Sequence, residues 1–355
     1  MASRTPEPRL ELVNDDHEAK RVRTTLLCTD VDSLPKVEGA GEIFVRDGVS
    51  LQRMHNGVLI AEGCYGGQWM TEIIRSLHGH HEPQEEAVFD AVVRRLATDT
   101  DSPTMIEFGS FWTYYGMWFA HELPTGRVVA IEPDAQNLEV GKRNARINEL
   151  DKQITFLQGA IGAEPGAIFQ FEAESDGRPY DVKQYDLASL MSETGLEHVD
   201  LVLVDVQGAE TVLLHRALGD IAANRVRFMI VSTHHFSISG DPLTHQRALQ
   251  LLQNAGAHVI AEHSVPESFS GDGLIAVSFD ARDVDLTVPI TFARSKDSIF
   301  DEVEFELNTA RNMLADAQVA VRHLTEERDK MLHSKSWRWS GSARRAYSKL
   351  RGFNA

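Results

Sequence analysis

The stretch that decides the fold is 105-MIEFGSFWTYYGMW-118, in which an apolar run leads into Glu107 and Gly109. This pattern is typical of a strand that ends in a tight turn before a helix, as in nucleotide-binding folds. Phe111 and Tyr114 occupy the positions of the second and third glycines of G-x-G-x-x-G. Because these side chains obstruct the close backbone approach that a pyrophosphate needs, we expect a ligand with a ribose and no phosphate.

A second acidic residue supports this ligand. The next strand ends in 130-AIEPD-134, where Glu132 follows Glu107 by 25 residues. An acid at this strand end is placed to accept two hydrogen bonds from a ribose diol. Pro133 keeps Glu132 extended, and Asp134 suits the N-cap of the helix that follows. S-adenosylmethionine (SAM) is such a ligand: it has a ribose and no phosphate, and its sulfonium cation tolerates the acids Glu107, Glu132 and Asp205. A nicotinamide cofactor, which has a pyrophosphate, is the disfavoured alternative.

Composition narrows the class of protein. The chain has 355 residues, enough for one large domain with appendages or for two domains. A formal charge of −18 argues against nucleic-acid binding by the bulk of the surface. The two cysteines, Cys28 and Cys64, have no metal-ligand spacing. Neither a signal peptide nor a membrane helix is recognisable, which predicts a cytoplasmic protein.

Strands and helices alternate from residue 103 to about 280, and several strands are apolar throughout. This predicts an α/β fold with a doubly wound, mostly parallel, seven-stranded, Rossmann-like sheet covered on both faces. Ahead of it, short strands with turns at Asp47-Gly48 and Asn56-Gly57 and then two helices predict an α+β lid. We therefore predict a mobile segment (1–40), a lid or substrate subdomain (41–100) and a ligand-binding domain (101–285).

The C-terminal part has a different pattern. Apolar residues follow a 4-3 spacing that predicts a coiled-coil helix over 298–333, for self-association or a partner helix; the alternative is an amphipathic helix on its own domain. The seam is Val303, Leu307, Ala310, Leu314, Ala317, Val321, Leu324, Arg328 and Met331. The tail, 334–355, has six cations and no acid, with Trp337, Trp339 and Tyr347 between them. It suits an acidic partner or the inner face of a membrane, or is a solvated tail.

Five segments together resemble the FkbM-type SAM-dependent methyltransferases. They include 81-HEPQEEAVFDAVVRRL-96, the two strand-turn-helix stretches above, 157-LQGAIG-162, and a long segment, 185–214, that contains 205-DVQGAE-210. The last stretch resembles the family's D-V-E-G-A-E. The resemblance covers roughly residues 80–280 and implies a class I methyltransferase fold that binds SAM. It also implies a hydroxyl acceptor.

The resemblance also implies roles for individual residues. Gly109 is the tight-turn glycine, Glu132 the ribose-binding acid, and Asp205 faces the methionine part of SAM or the reacting oxygen. The full set implied to bind the cofactor is Glu107, Gly109, Ser110, Thr113, Tyr114, Glu132, Asn137, Ala160, Ile161 and Asp205.

Three positions depart from the family pattern. Thr113 replaces the last glycine of the loop, Leu203 stands where a Lys is common, and Gln207 replaces the first Glu of E-G-A-E. If that Lys or Glu handles substrate in the family, this protein recognises its acceptor differently.

Methyl transfer to an alcohol needs a base, and strand-end histidines are the candidates. His234 and His235 follow the fifth strand of the predicted sheet and, being adjacent, point to opposite sides, so that one of them is expected to act. Asp205 completes the predicted catalytic set. In a metal-assisted alternative, Asp205, Glu210 and His234 hold a divalent cation such as Mg²⁺; otherwise Glu210 complements the dipole of a helix N-terminus.

The acceptor is predicted from residues outside the cofactor motif. Tyr65 and Trp69, with Trp112 and Tyr114, form a stacking wall for a sugar or pack in the core, and His81 is a further substrate candidate. The tail 334-SKSWRWSGSARR-345 resembles the S-x-S-W-R ends of bacterial surface-glycan enzymes, which implies a glycan or glycolipid acceptor. A small metabolite or polyketide acceptor, and a scaffold without activity, remain alternatives.

Overall fold

The N-terminal region packs short elements ahead of the main sheet. The computed structural model describes residues 16–293 and 303–341, and the chain divides into two compact units, Met1–Phe300 and Asp301–Ala355. The first elements are α1 (Asp16–Thr25), β1 (Ile43–Arg46), β2 (Val49–Arg53), β3 (Leu59–Ala61), α2 (Gly67–Ser76) and α3 (Pro83–Asp99).

Both predicted hairpin turns are confirmed. Strands β1 and β2 pair antiparallel on either side of Asp47-Gly48, whose φ angles are 53° and 76°. Strands β2 and β3 pair antiparallel across Asn56-Gly57. Positive φ at both turn residues is the geometry that favours an Asp-Gly hairpin.

Within the segment predicted to be mobile, 1–40, residues 16–40 pack against the main domain; residues 1–15 lie outside the described part. Val22 of α1 and Cys28 are fully buried. The Thr25 hydroxyl donates to the Phe269 carbonyl oxygen at 2.8 Å, across 244 positions of sequence. The apolar residues among the charges of this segment therefore anchor it to the loops of the main domain.

The main sheet is built from seven strands, as predicted. They are β4 (Thr104–Phe108), β5 (Arg127–Glu132), β6 (Ile154–Gln158), β10 (Val199–Val204), β11 (Val226–Thr233), β12 (His258–His263) and β13 (Gly273–Ser278), in the order β12-β13-β11-β10-β4-β5-β6. Strand β13 is antiparallel to both of its neighbours, and the pairs from β11 to β6 are parallel. All residues of β10 and β11 are buried, as expected for strands covered on both faces.

Helices connect these strands and cover the sheet. They are α4 (Tyr114–Glu122), α5 (Ala135–Ile147), α6 (Leu187–Thr194), α7 (Glu210–Ala222), the one-turn α8 (Phe236–Ser239) and α9 (Thr244–Asn254), with 3₁₀ turns at Val265–Glu267 and Ala281–Asp283.

A small sheet between β6 and α6 was not anticipated. It consists of β7 (Ala160–Ile161), β8 (Ile168–Glu172) and β9 (Pro179–Tyr185) in the order β7-β9-β8. The alternation of 168-IFQFE-172 is a strand signal that sequence reasoning overlooked.

The second unit is described by itself. It contains α10 (Val303–His333) and α11 (Lys335–Trp339). Seam residues are exposed in the single chain: Leu314 by 59%, Val321 by 63% and Leu324 by 65%. Residues 298–302 of the predicted coiled coil and 342–355 of the predicted tail lie outside the described residues. Within the described ranges, none of the helices has the length and apolarity to cross a bilayer.

The coiled coil remains a prediction, and the molar mass in solution tests it. We expect more than one chain per particle by light scattering, because a 4-3 seam is buried when copies of the helix pair. Replacing Leu314 and Val321 by Glu should give single chains. The matched control is Val319→Glu, on the opposite face of α10 and exposed by 54%, which should leave the mass unchanged. A wild-type mass of one chain at high concentration contradicts the prediction.

Candidate active site

A cavity of about 320 Å³ opens at the carboxyl ends of β4, β5 and β10. This edge of a doubly wound sheet is where ligands are expected, and the neighbouring loops converge on it. The residues predicted from sequence that line the cavity are Tyr65, His81, Glu107, Gly109, Ser110, Trp112, Glu132, Asn137, Ala160, Ile161 and Asp205.

Gly109 allows the ends of β4 and β10 to meet. Its φ is +79°, and a Cβ atom at this position would lie 1.6 Å from the Asp205 carbonyl oxygen. The Gly109 amide donates to the Ile131 carbonyl oxygen at 3.0 Å, which ties the turn to β5 as well. Phe111 and Thr113 also have positive φ, 35° and 59°, so the loop after β4 is tightly wound without further glycines.

Glu132 is buried at the end of β5. Its two carboxylate oxygens accept from the backbone amides of Phe111 at 3.1 Å and Asp134 at 3.0 Å. Each oxygen retains a lone pair, as a ribose diol would require. Burial raises the pKa of Glu132 to about 7. Asp134 caps α5, accepting from the Gln136 amide at 2.9 Å, as its sequence position predicts.

Glu107 is buried below the turn. It accepts from the Gly116 amide of α4 at 3.2 Å, and a Cβ at Gly116 would lie 2.6 Å from the same oxygen. Burial raises the pKa of Glu107 well above its ordinary value. The three acids predicted to surround the ligand are Glu107, Glu132 and Asp205. Together they therefore carry less negative charge in the free protein than three ionised carboxylates would.

Three side chains contact one another in a row that leads away from the cavity: Asp205, His234 and Glu210. The Asp205 carboxylate lines the cavity, and its Oδ1 lies 3.1 Å from His234 Nε2. His234 Nδ1 lies 2.5 Å from Glu210 Oε1. Asp272 Oδ1, just before β13, is 3.7 Å from His234 Nε2. His234, the predicted base, is therefore not part of the cavity wall; Asp205 lies between it and the cavity.

His235 does not take part in this row. Its Nδ1 accepts from the Ser237 amide at 3.3 Å, so the side chain caps α8. The structure thereby separates the two adjacent histidines, as their opposite directions predicted, and places His234 beside Asp205.

The metal-assisted alternative does not match this geometry. His234 uses different ring nitrogens toward Asp205 and Glu210, so the three groups do not converge on one point. Elsewhere, ligand atoms of the buried His55, His80 and Glu86 lie within 4.8 Å of one another. The Glu86 oxygens, however, already contact the Nδ1 atoms of His80 and His81.

Aromatic side chains form one wall of the cavity. The rings of Tyr65 and Trp112 stack with centroids 4.8 Å apart, and the His81 ring meets Tyr65 edge-on at 5.8 Å. Glu82, at the start of α3, accepts from the Tyr115 hydroxyl at 3.2 Å and lies 3.3 Å from His81 Nε2. Hydroxyl-binding groups therefore lie beside aromatic rings, a combination suited to a polar ring such as a sugar.

Besides His234, His235 and Glu210, three predicted site residues do not line the cavity. Thr113 and Tyr114 are buried, because the left-handed turns at Phe111 and Thr113 bring both side chains into the packing of α4 and α5. A Cβ at Gly141 of α5 would lie 2.2 Å from Thr113 Oγ1. Trp69 packs against Arg21 instead: the guanidinium carbon of Arg21 lies 5.0 Å from the centre of the Trp69 ring.

Other lining residues were missed. Phe169 and Phe171 of β8 reach the cavity from the small sheet, and Glu82 lines it from the start of α3. Asp272 does not line the cavity but lies beside His234, and it was missed because a lone acid in a glycine-rich loop has no periodic pattern. Glu82 lies within the segment resembling the family, but among several acids nothing in the sequence distinguishes it.

Glu86 anchors a buried ion cluster next to the cavity. Burial opposes ionisation, but His80 and His81 outweigh it and hold the pKa of Glu86 well below its usual range. For His81, burial is likewise outweighed by Glu82 and Glu86, which raise its pKa to about 10. The Glu86 contribution to stability is present above its unfolded pKa and lost in acid; the His81 contribution is present below its unfolded pKa and lost as pH rises towards about 10.

Glu86→Gln should lower the free energy of unfolding by about 3–5 kcal/mol, because it leaves the buried, charged His81 ring without one of its two carboxylate partners. The matched control is Glu85→Gln. Burial raises the pKa of Glu85 well above its ordinary value, and its Oε2 accepts from the Ser232 hydroxyl at 2.6 Å, which an amide oxygen reproduces. Urea unfolding at neutral pH should show a loss below about 1 kcal/mol for the control. Equal losses would contradict the assignment.

Comparisons with known proteins identify the kind of domain. A family model described as "Methyltransferase FkbM domain" matches residues 99–259. Release factor glutamine methyltransferase of Chlorobaculum tepidum is 27% identical over 140 residues, 36% of this chain and 46% of that protein. The chain thus spans less than half of this curated relative. The match to the family model supports a methyltransferase domain and the resemblance seen in the sequence.

Solved structures of methyltransferases are also similar in part. The N-terminal domain of human METTL16 in complex with SAH has a TM-score of 0.36 and 16% identity, covering 56% of this chain and 71% of that one. Precorrin-6y C5,15-methyltransferase of Geobacter metallireducens has a TM-score of 0.34 and 13% identity, covering 54% and 86%. At these scores neither structure transfers a substrate or a site to this chain.

Proposed function

We propose that this protein is a SAM-dependent O-methyltransferase that acts on a sugar hydroxyl of a glycan or glycolipid. The observation that carries the proposal is the buried Glu132 carboxylate, which two backbone amides hold at the end of β5 on the wall of the cavity. A matching methyltransferase family model over residues 99–259 supports the reaction class.

The residues on the wall fit SAM. Glu132 would accept from the ribose hydroxyls, and Ala160 with Ile161 would flank the adenine. Ser110 lines the cavity with a buried hydroxyl that has no hydrogen-bond partner in the described structure, so it is available to the methionine end. The bulk of Phe111 disfavours a pyrophosphate, which supports SAM over a nicotinamide cofactor.

When bound, SAM supplies an activated methyl group. The protein has to hold the acceptor oxygen in line with that group and remove the hydroxyl proton. Asp205 lines the cavity and would receive the acceptor hydroxyl, with His234 behind it at 3.1 Å. This pair would take the proton as the carbon–oxygen bond forms and release it to solvent afterwards.

The Tyr65 ring, which is backed by Trp112 stacked between it and Tyr114, supports a sugar acceptor. An aromatic face packs against the apolar face of a sugar ring, while Glu82 and Asp205 are placed to accept from its hydroxyl groups. The glycan assignment rests further on the S-x-S-W-R-like tail.

Methyl-labelled SAM tests this function. The protein is incubated with cell-envelope glycans, lipids and small metabolites separately, and the labelled product is identified. We expect base-stable label on a glycan hydroxyl. Label in small metabolites alone would overturn the glycan assignment. SAM binding without label in any fraction would favour a scaffold that retains the fold.

A further inference from the structure

The role of Glu210 is not settled by its position at the start of α7. It is fully buried, whereas an acid that only complements a helix dipole can remain in water. Its Oε1 accepts from the Gly208 amide at 2.9 Å and lies 2.5 Å from His234 Nδ1. The buried Glu210 side chain is therefore held from two sides, by the Gly208 amide and by the buried His234 ring.

We propose that Glu210 is a positioning residue for methyl transfer, which holds the His234 ring with Nε2 facing Asp205. This inference rests on the proposed function. A carboxylate at Nδ1 fixes the proton on that nitrogen and leaves Nε2 as the atom that exchanges a proton with the cavity side.

The second nitrogen of the His234 ring, Nε2, also supports this role. His234 Nε2 is buried and lies 3.1 Å from Asp205 Oδ1, an ion-pair distance, although the two atoms are not aligned for a hydrogen bond in the described structure. The buried nitrogen therefore has the carboxylate that lines the cavity as its partner for exchanging a proton. The row from Glu210 through His234 to Asp205 thus leads from the protein interior to the place of the acceptor.

The charges around the ring come from three elements. Asp205 follows β10, Glu210 begins α7 and Asp272 precedes β13. Burial opposes the charged ring, but Asp272, Asp205 and Glu210 outweigh it and raise the pKa of His234 well above its ordinary value. The His234 ring acts as a base only after it has lost this proton. The rate of methyl transfer should therefore increase with pH above neutrality.

The overall step balances without a further reactant. The acceptor oxygen forms a bond to the methyl carbon as the carbon–sulfur bond breaks, and the electron pair of that bond stays on sulfur. The acceptor proton passes to the Asp205–His234 pair. Glu210 neither gains nor loses an atom; it keeps the ring oriented and stabilises its charged form.

Two variants of Glu210 separate charge from orientation. Glu210→Gln keeps an oxygen for Nδ1 and removes the negative charge, so the rising limb of the pH profile of kcat/KM should move about 1–3 pH units lower. Glu210→Ala loses both and should lower kcat at least about tenfold, with an unchanged dissociation constant for SAM. The control is His235→Ala, whose pH profile should match the wild type.

Nitrogen-15 NMR of the His234 ring provides a readout that needs no acceptor. The wild-type ring should titrate above neutrality and, once neutral, keep its remaining proton on Nδ1; in Glu210→Gln it should titrate at lower pH. Identical ring titrations and pH profiles for wild type and Glu210→Gln would overturn the proposal. If SAM binds but no acceptor is methylated, the proposed function fails, while the ring titration still decides whether Glu210 orients His234.

Discussion

Replacing Asp205 by Asn should reduce kcat for methyl transfer by about 10²–10⁴-fold, the range expected when a proton-accepting group is lost. The amide has nearly the same shape, and the Asp205 backbone remains bonded to the Phe108 carbonyl oxygen at 2.9 Å, so the strand end is kept. What disappears is the negative charge between the cavity and His234.

Single-turnover measurements with labelled SAM check this result. The dissociation constant for SAM should change by less than about tenfold, since the ribose site lies at the end of β5. A variant that retains wild-type kcat would show that Asp205 takes no part in the reaction. A variant that loses SAM binding altogether would instead place Asp205 in the cofactor site alone.

Replacing Gly109 by Ala should abolish SAM binding and destabilise the domain. The added methyl group would lie 1.6 Å from the Asp205 carbonyl oxygen, so β4 and β10 have to separate at the edge where the cavity is formed. A left-handed conformation adds a further cost of about 1–2 kcal/mol for a residue with a side chain.

The control for this variant is Gly48→Ala. Gly48 has a similar φ of +76°, but a Cβ there meets nothing within 4 Å. The stability of the control should fall only by the cost of a left-handed backbone for a residue with a side chain, and its SAM affinity should equal that of the wild type. Thermal unfolding and calorimetric titration of both variants are the measurements. Equal destabilisation of the two, with SAM bound by both, would contradict the close approach of the strands.

The fold could be predicted largely because its strands are apolar throughout. The all-buried β10 and β11 and the turn at Gly109 are local patterns, and the seven-stranded sheet follows from them. The hairpin turn at Asp47-Gly48 has its own local signature. By contrast, the packing of residues 16–40 against the main domain depends on contacts such as Thr25 with Phe269, which no local pattern reveals.

The candidate site could be predicted only where a residue ends a strand. Glu132 and Asp205 were found because strand ends of a parallel sheet meet at one edge. Thr113 was assigned to the site by analogy with a glycine loop, yet its left-handed backbone brings the side chain into the interior. The pairing of His234 with Glu210 joins residues 24 positions apart and becomes visible only in three dimensions.

Calorimetric titration of the protein with SAM tests the central claim, that Glu132 binds the ribose of SAM in this cavity. We expect SAM to bind and NADH not to bind. Because the pKa of Glu132 is raised to about 7, SAM affinity should fall as the pH is lowered below that value and the carboxyl becomes protonated. In Glu132→Gln, affinity should be weak at every pH and this dependence should be lost. NADH binding in place of SAM, or Glu132→Gln binding SAM as the wild type does, would contradict the claim.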